Sequence, residues 1–238
     1  MKKIRVILYQ KPPGINISEL DIDEMGKYSP HFICFPEYFF VDRTVGDHEQ
    51  TYENQVKQKQ KIESLSRTIK TVVIGGTMPE FEGGKLYNTC FVYDNGRQLG
   101  FYRKKNLFAA EEGKVTPGDS YKIFSAYGIT FGVLICADVF HDESFIFMKQ
   151  HKARIIFSPT FSLLKEETIK EKHKRDNRIY VRGASIASAV IVKVCGVKSE
   201  YKNFLQARSL IANGKEVIYR VNPDEEDKAM IIKKEVEV

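Results

Sequence analysis

The chain has 238 residues, 42% of them hydrophobic and 29% charged, a balance that excludes a disordered, collagen-like or low-complexity chain. No apolar run is long enough to span a bilayer, so no membrane partner is expected, and Cys34, Cys90, Cys136 and Cys195 form no CxxC pair that would suggest zinc or a disulfide framework. The formal net charge of +6 is interleaved with acids, as in Lys165-Glu166-Glu167 and Glu171-Lys172-His173-Lys174-Arg175-Asp176; this reads as a solvated helix face and not a phosphate track, so no nucleic acid partner is expected.

The opening Met1–Tyr9 has a charged start and an apolar run too short for a signal-peptide core, and Ile4–Tyr9 reads as a first strand. With free thiols, this points to a cytoplasmic setting. Phe32–Phe35 reads as a buried strand ending at Pro36-Glu37. Gln50–Ile69 has the spacing of a surface helix, and Thr71–Ile74 is a strand stopped by Gly75-Gly76. Leu86–Tyr93 and Gln98–Arg103 form a hairpin around Asp94-Asn95-Gly96. Gly128–Cys136 is a strand, Ser144–Lys152 a helix and Ala153–Ser158 another strand. Glu166–Ser185 reads as one long helix, Val190–Val197 as a strand, and Ala207–Ala212 with Glu216–Arg220 as a hairpin around Asn213-Gly214. Met230–Val238 closes the chain as an edge strand. No internal repeat or linker appears, so residues 1–238 are expected to form one domain of mixed sheets covered by helices.

Cys136 ends the run Gly132-Val133-Leu134-Ile135 and opens into Ala137-Asp138, a placement suited to a nucleophile. Taken alone, a packed core thiol is the commoner state of such a residue. Glu37 follows Phe35-Pro36 and precedes Tyr38, Phe39 and Phe40; apolar surroundings disfavour its charged form and suit it to act as a general base. The alternative for Glu37 is a capping or salt-bridged surface carboxylate. Lys104 follows the strand ending at Arg103 and could hold an oxyanion, although Arg103 and Lys105 beside it fit an ordinary solvated lysine equally well.

Taken in order, Phe35-Pro36-Glu37, Tyr102-Arg103-Lys104-Lys105-Asn106-Leu107-Phe108 and Gly132-Val133-Leu134-Ile135-Cys136-Ala137-Asp138 resemble the nitrilase, or carbon–nitrogen hydrolase, superfamily. Val115-Thr116-Pro117-Gly118-Asp119, Ile155-Ile156-Phe157-Ser158-Pro159-Thr160 and Ser209-Leu210-Ile211 with Gly214 extend the resemblance over nearly the whole chain. It implies an α/β fold of four layers, an α-β-β-α sandwich of two mixed sheets, in a homodimer or larger homo-oligomer paired through helices. It implies an amidase in which Cys136 attacks, Glu37 takes its proton, and Lys104 with the Ala137 N–H holds the oxyanion. A thioester forms, ammonia or an amine leaves, and water completes hydrolysis of a small-molecule amide or carbamoyl compound. No metal and no organic cofactor is implied. A second glutamate positions substrate; Glu111 fits the spacing best and Glu112 is the alternative. Tyr38 and Phe108 are expected beside the substrate.

The chain also departs from the family's pattern. The segment holding Pro12-Pro13-Gly14 is short, so the usual helix before Phe32 is expected to be abbreviated or missing. Asn106 replaces a frequent histidine, Ala137 replaces a bulky aromatic, and Ala187 and Ser188 replace a glutamate and an asparagine. Asp138, two residues after the cysteine, favours amide over nitrile hydrolysis. Glu143 is expected to cap a helix starting near Ser144, and His141 to be a rim residue. Nitrile hydrolysis, acyl transfer to an amine, and a non-catalytic scaffold are the competing readings.

Overall fold

Strands in this chain sort their side chains two ways. On β1 (Lys3–Gln10), Ile4, Val6 and Leu8 enter one buried cluster while Ile7 and Tyr9 enter another. The same alternation repeats on β2 (Phe32–Cys34), on β3 (Val72–Ile74), and at Cys90 and Val92 against Phe91 and Tyr93 of β5 (Lys85–Asp94). A sheet buried on both faces requires a cover on each. The computed structural model describes residues 2–41, 55–198 and 205–238 and shows both covers.

Among the described residues the first sheet has seven strands. β13 (Met230–Glu237) is its edge, antiparallel to β1; β1, β2 and β3 run parallel; β5 follows antiparallel, pairing with β4 (Met78–Glu82) and β6 (Arg97–Arg103). The second sheet has six, in the order β12 (Val217–Arg220), β11 (Leu210–Ala212), β10 (Val190–Cys195), β9 (Ile155–Thr160), β8 (Ile129–Val133) and β7 (Ile123–Ala126). The sheets face each other across one apolar core; Phe32 lies 5.1 Å from both Phe131 and Phe157 between ring centroids. Outside the first sheet lie α1 (Glu19–Tyr28) and α2 (Gln55–Ile69), through Met25, Ile62 and Leu65. Outside the second lie α3 (Asp142–Gln150) and α5 (Arg182–Ala187), through Phe145, Met148, Ala184 and Ala187. These layers form the expected α-β-β-α sandwich. Among the described residues no helix is long and apolar enough to cross a membrane.

Several elements differ from the sequence reading. A ten-residue helix, α1, stands where an abbreviated or missing one is expected. Ser18 caps it by accepting from the Asp21 N–H at 3.1 Å, and Ser29 ends it in a left-handed conformation. β4 and β7 are short edge segments that carry too few residues for a periodic signal. α2 is described from Gln55, so the start expected at Gln50 lies outside the described residues. β8 stops at Val133, β10 stops at Cys195, and β11 begins only at Leu210. The long helix of 166–185 is instead α4 (Ile169–Asp176), a π-turn (Asn177–Val181) and α5. Nor is its charged face wholly solvated, because Lys172 and Asp176 are buried. α3 begins at Asp142, two residues early, so Glu143 lies within its first turn and its carboxylate accepts from the Tyr121 hydroxyl at 3.1 Å.

Candidate active site

Three loop ends at one edge of the facing sheets bring the polar residues together. After β2 the chain turns through Pro36. Phe35 N–H donates to the Ile74 carbonyl at 3.0 Å, and Gly76, at φ +62°, packs against the turn. A Cβ at Gly76 would stand 2.1 Å from the Pro36 carbonyl oxygen, so only glycine lets the two loops approach this closely. Glu37 is thereby set facing inward, 1% exposed. Lys104, also 1% exposed, follows β6; its N–H donates to the Asn88 carbonyl and its carbonyl accepts from Gly118 N–H, each at 2.8 Å. Glu111 closes a 3-10 turn, its Oε2 accepting from Phe108 N–H at 2.8 Å.

These side chains form one hydrogen-bonded unit. Lys104 Nζ donates to Glu37 Oε1 at 2.8 Å and to Glu111 Oε2 at 2.7 Å. Asn88 Nδ2 bridges the same two carboxylates, at 3.0 Å to Glu37 Oε1 and 2.8 Å to Glu111 Oε1. Tyr38 donates its hydroxyl to Glu111 Oε1 at 2.6 Å, and Phe161 N–H donates to Glu37 Oε2 at 2.9 Å. Of the two acids weighed for the second position, Glu111 enters the cluster and Glu112 is exposed. Glu37 is therefore held by an ammonium, an amide and a backbone N–H, not merely enclosed by the aromatic residues that follow it.

Cys136 opens a 3-10 turn (Cys136–Phe140), three residues beyond the end of β8, at φ +43°. A β-carbon residue held in the left-handed region is strained, and such strain is found where the surroundings fix a side chain for a task. Its Sγ lies 4.0 Å from the Phe161 carbonyl. Phe161 thus touches both the thiol, through its carbonyl, and Glu37, through its N–H. The Ala137 N–H makes no hydrogen bond among the described residues and remains available beside the thiol.

Asp138 braces this turn. Fully buried, it accepts from Tyr102 Oη and Ile135 N–H at 2.8 Å, and from the Asn106 N–H at 2.9 Å and Nδ2 at 3.1 Å. It joins the Cys136 turn to β6 and to the loop after it. Asn106 supplies two of these bonds, which shows what the residue found in place of histidine does. Burial pushes the Asp138 carboxyl up to about 6, against the opposing pull of its donors.

The electrostatics set the resting protonation. Burial, and then the charge of Glu37, push the Cys136 thiol well above its ordinary value; Lys104 opposes them and does not prevail. Burial disfavours the Lys104 ammonium, but the charges of Glu37, Cys136 and Glu111 outweigh it and the net shift is upward. Burial likewise acts to raise Glu111, and Lys104 with the Tyr38 and Phe108 donors outweighs it, holding the carboxyl below its usual range. The resting site is thus a neutral thiol beside a fixed ammonium.

The remaining expected residues are placed as follows. Tyr38 is buried and serves Glu111, while Phe108 is 44% exposed and its backbone N–H serves the cluster. His141 is exposed at the start of α3. Asn88 was missed by sequence reasoning, although an amide inside the buried run Leu86–Tyr93 was its available signal. Among the described residues no group of three or more His, Cys, Asp and Glu side chains could hold a metal ion.

The sequence matches the carbon–nitrogen hydrolase family over residues 8–191. The chain belongs to the carbon–nitrogen hydrolase family. Within it, human omega-amidase NIT2 is 32% identical over 168 residues, covering 64% of this chain and 56% of that protein. The chain spans 56% to 66% of the length of its Dictyostelium, bovine and human relatives. The carbon–nitrogen hydrolase of Helicobacter pylori superposes with a TM-score of 0.80 at 17% identity, covering 98% of this chain and 88% of that one. A cysteine-to-alanine variant of the amidase from Nesterenkonia, in complex with butyramide, superposes at 0.77 with 16% identity, covering 99% and 90%. These structures establish the nitrilase-superfamily fold, in agreement with the motif reading.

Proposed function

We propose that this carbon–nitrogen hydrolase family member cleaves the C–N bond of a small linear amide or carbamoyl compound through a thioester on Cys136. The observation that carries this reading is the buried Glu37–Lys104–Glu111 unit placed against a protonated thiol on a strained turn. The thiol gives its proton to Glu37 as Sγ attacks the carbonyl carbon, so a C–S bond forms and the carbonyl oxygen becomes an oxyanion. Lys104 and the Ala137 N–H face that developing charge. Collapse breaks the C–N bond, and Glu37 passes its proton to the leaving nitrogen, which departs as ammonia or an amine. Glu37 then takes a proton from water as the water oxygen bonds the acyl carbon. The C–S bond breaks, the acid leaves, and the thiolate recovers its proton. Glu111, fixed by Lys104, Asn88, Tyr38 and Phe108, holds the ammonium in place and orients the amide.

Butyramide is the natural first probe, given the Nesterenkonia complex. The test is ammonia release from a panel of neutral and acidic linear amides and carbamoyl compounds, with Cys136→Ala as control and mass spectrometry of the intact protein to detect the acyl adduct. Turnover and adduct in the wild type, both absent in the variant, are expected. Turnover that survives in Cys136→Ala refutes the mechanism.

A further inference from the structure

Asn88 joins the Glu37–Lys104–Glu111 unit through one end of its side chain only. It lies on β5 beside Lys104, whose N–H donates to the Asn88 backbone carbonyl at 2.8 Å. Cys90 and Val92 of the same strand belong to the core between the sheets, so alternation turns Asn88 toward that interior, where it is 1% exposed. Nδ2 carries two N–H groups, and both are used on carboxylates, at 3.0 Å to Glu37 Oε1 and 2.8 Å to Glu111 Oε1. The amide cannot be turned the other way, because Oδ1 set against two carboxylates would be repelled. Oδ1 is therefore left buried without a donor among the described residues. An acceptor orphaned in this way costs stability, and such groups are rare enough to need a reason.

Counting donors supplies one. Glu37 Oε1 accepts from the Lys104 ammonium at 2.8 Å as well as from Asn88. Among the described residues Glu37 Oε2 accepts only from the Phe161 N–H, at 2.9 Å. An oxygen that bears a cation and an amide is the poorer proton acceptor of the two, and one with a single neutral donor is the better. The Phe161 carbonyl lies 4.0 Å from Cys136 Sγ, which sets Oε2 on the side of the thiol. Asn88 closes the arrangement into a ring. Glu37 Oε1, Lys104 Nζ, the Glu111 carboxylate and Asn88 Nδ2 are linked in turn, and the last bond returns to Glu37 Oε1. Lys104 spends two of its three N–H groups in that ring and keeps one for an oxyanion. Without Nδ2, Lys104 alone would span the two carboxylates.

We propose that Asn88 is a positioning residue for proton transfer: its amide engages Glu37 Oε1, ties it to Glu111, and so presents Oε2 to the Cys136 thiol. This rests on the part of the preceding reading in which Glu37 takes that proton. In the step the S–H bond breaks, an O–H bond forms at Glu37 Oε2, and the sulfur electron pair goes to the electrophilic carbon.

The test is alkylation of the four cysteines by iodoacetamide near neutral pH, followed by peptide mass spectrometry. Wild type, Asn88→Leu, Glu37→Gln and the double variant are compared. Alkylation forms a C–S bond, releases iodide and needs the thiol proton removed, so it reads the transfer without turnover. In the wild type Cys136 should react at least about tenfold faster than Cys34, Cys90 and Cys195, which are buried. Asn88→Leu should slow Cys136 about tenfold or more while those three stay unreacted; a merely loosened fold would quicken them instead. The double variant should be no slower than Glu37→Gln, because Asn88 acts through Glu37. Asn88→Ala gives the same comparison where the leucine variant does not fold. A wild-type Cys136 no faster than the buried three, a Cys136 left unslowed in the folded variant, or a double variant whose losses simply add overturns the inference. Ammonia release from butyramide separates it from the amidase reading. A wild type that alkylates at Cys136 but releases no ammonia from any amide counts against that reading alone, and the alkylation rates still decide Asn88. With turnover, Asn88→Leu should lower kcat about tenfold or more and leave KM within about threefold; an unchanged kcat overturns the role.

Discussion

Replacing Lys104 by methionine removes the ammonium that separates two buried carboxylates. The Lys104 and Glu37 side chains are each 1% exposed and that of Glu111 is 9% exposed, so the acids left behind have little water to turn to. Removing one partner of a buried pair costs about 3–5 kcal/mol, and methionine fills enough of the space that little cavity cost adds to it. For a chain of this size each kcal/mol shifts the melting temperature by about 2–4 degrees, so a fall of roughly 6–20 degrees is expected. The pH dependence carries its own sign. In the wild type Glu111 is held below its ordinary range, so its contribution is present at neutral pH and is lost only in acid, as pH falls through that depressed value. In Lys104→Met the carboxylates share Asn88 without a counter-charge, and the folded state takes up a proton more readily than the unfolded chain. The variant should therefore gain stability between about pH 8 and pH 5. Adding Glu111→Gln should recover at least about 2 kcal/mol at the higher pH. Calorimetry of the three proteins at both pH values decides it. A single variant within two degrees of wild type, or one that gains nothing on acidification, refutes the pairing argument.

Three further outcomes are expected. Glu37→Gln keeps the fold and lowers kcat for amide hydrolysis by about 10²–10⁴, measured as ammonia release; an undiminished acylation rate would remove Glu37 as the base. Gly76→Ala forces a Cβ to 2.1 Å from the Pro36 carbonyl at φ +62°, so urea unfolding should show a loss of about 1–3 kcal/mol, together with reduced turnover as Glu37 shifts. Asp138 has its carboxyl raised from 3.8 to about 6, so the wild type should lose about 3 kcal/mol of stability as pH climbs through that window. Asp138→Asn should lack that loss; parallel denaturation curves for the two proteins at about pH 4 and pH 7 would contradict it.

The readable parts of this chain are those in which a local pattern coincides with tertiary placement. Apolar runs marked β1 and the parallel core strands, because these bury side chains on both faces, and the Asn95-Gly96 turn marked the hairpin. Glu37, Lys104 and Cys136 were legible because each follows a strand or an apolar run. α1 was not legible because only Asp21 and Met25 of its residues are buried, too few for a periodic apolar signal, and its start is fixed by the Ser18 cap. The break in 166–185 was hidden because a π-turn preserves the look of helical spacing. The part played by Phe161 was beyond reach, since its backbone does the work and backbone polarity is the same for every residue but proline. Asn88 lay between these cases, as a polar residue in an apolar strand whose partners lie 23 and 51 positions away.

Glu37, Asn88 and Lys104 hang from one sheet, whereas Cys136 and Phe161 hang from the other. On the proposed mechanism neither half of the polypeptide is competent by itself. A partly folded species with both layers formed but not yet docked would have every side chain and no chemistry. On the proposed mechanism, turnover gauges how closely the two halves are seated, and slight parting of the layers should abolish it while circular dichroism still looks native.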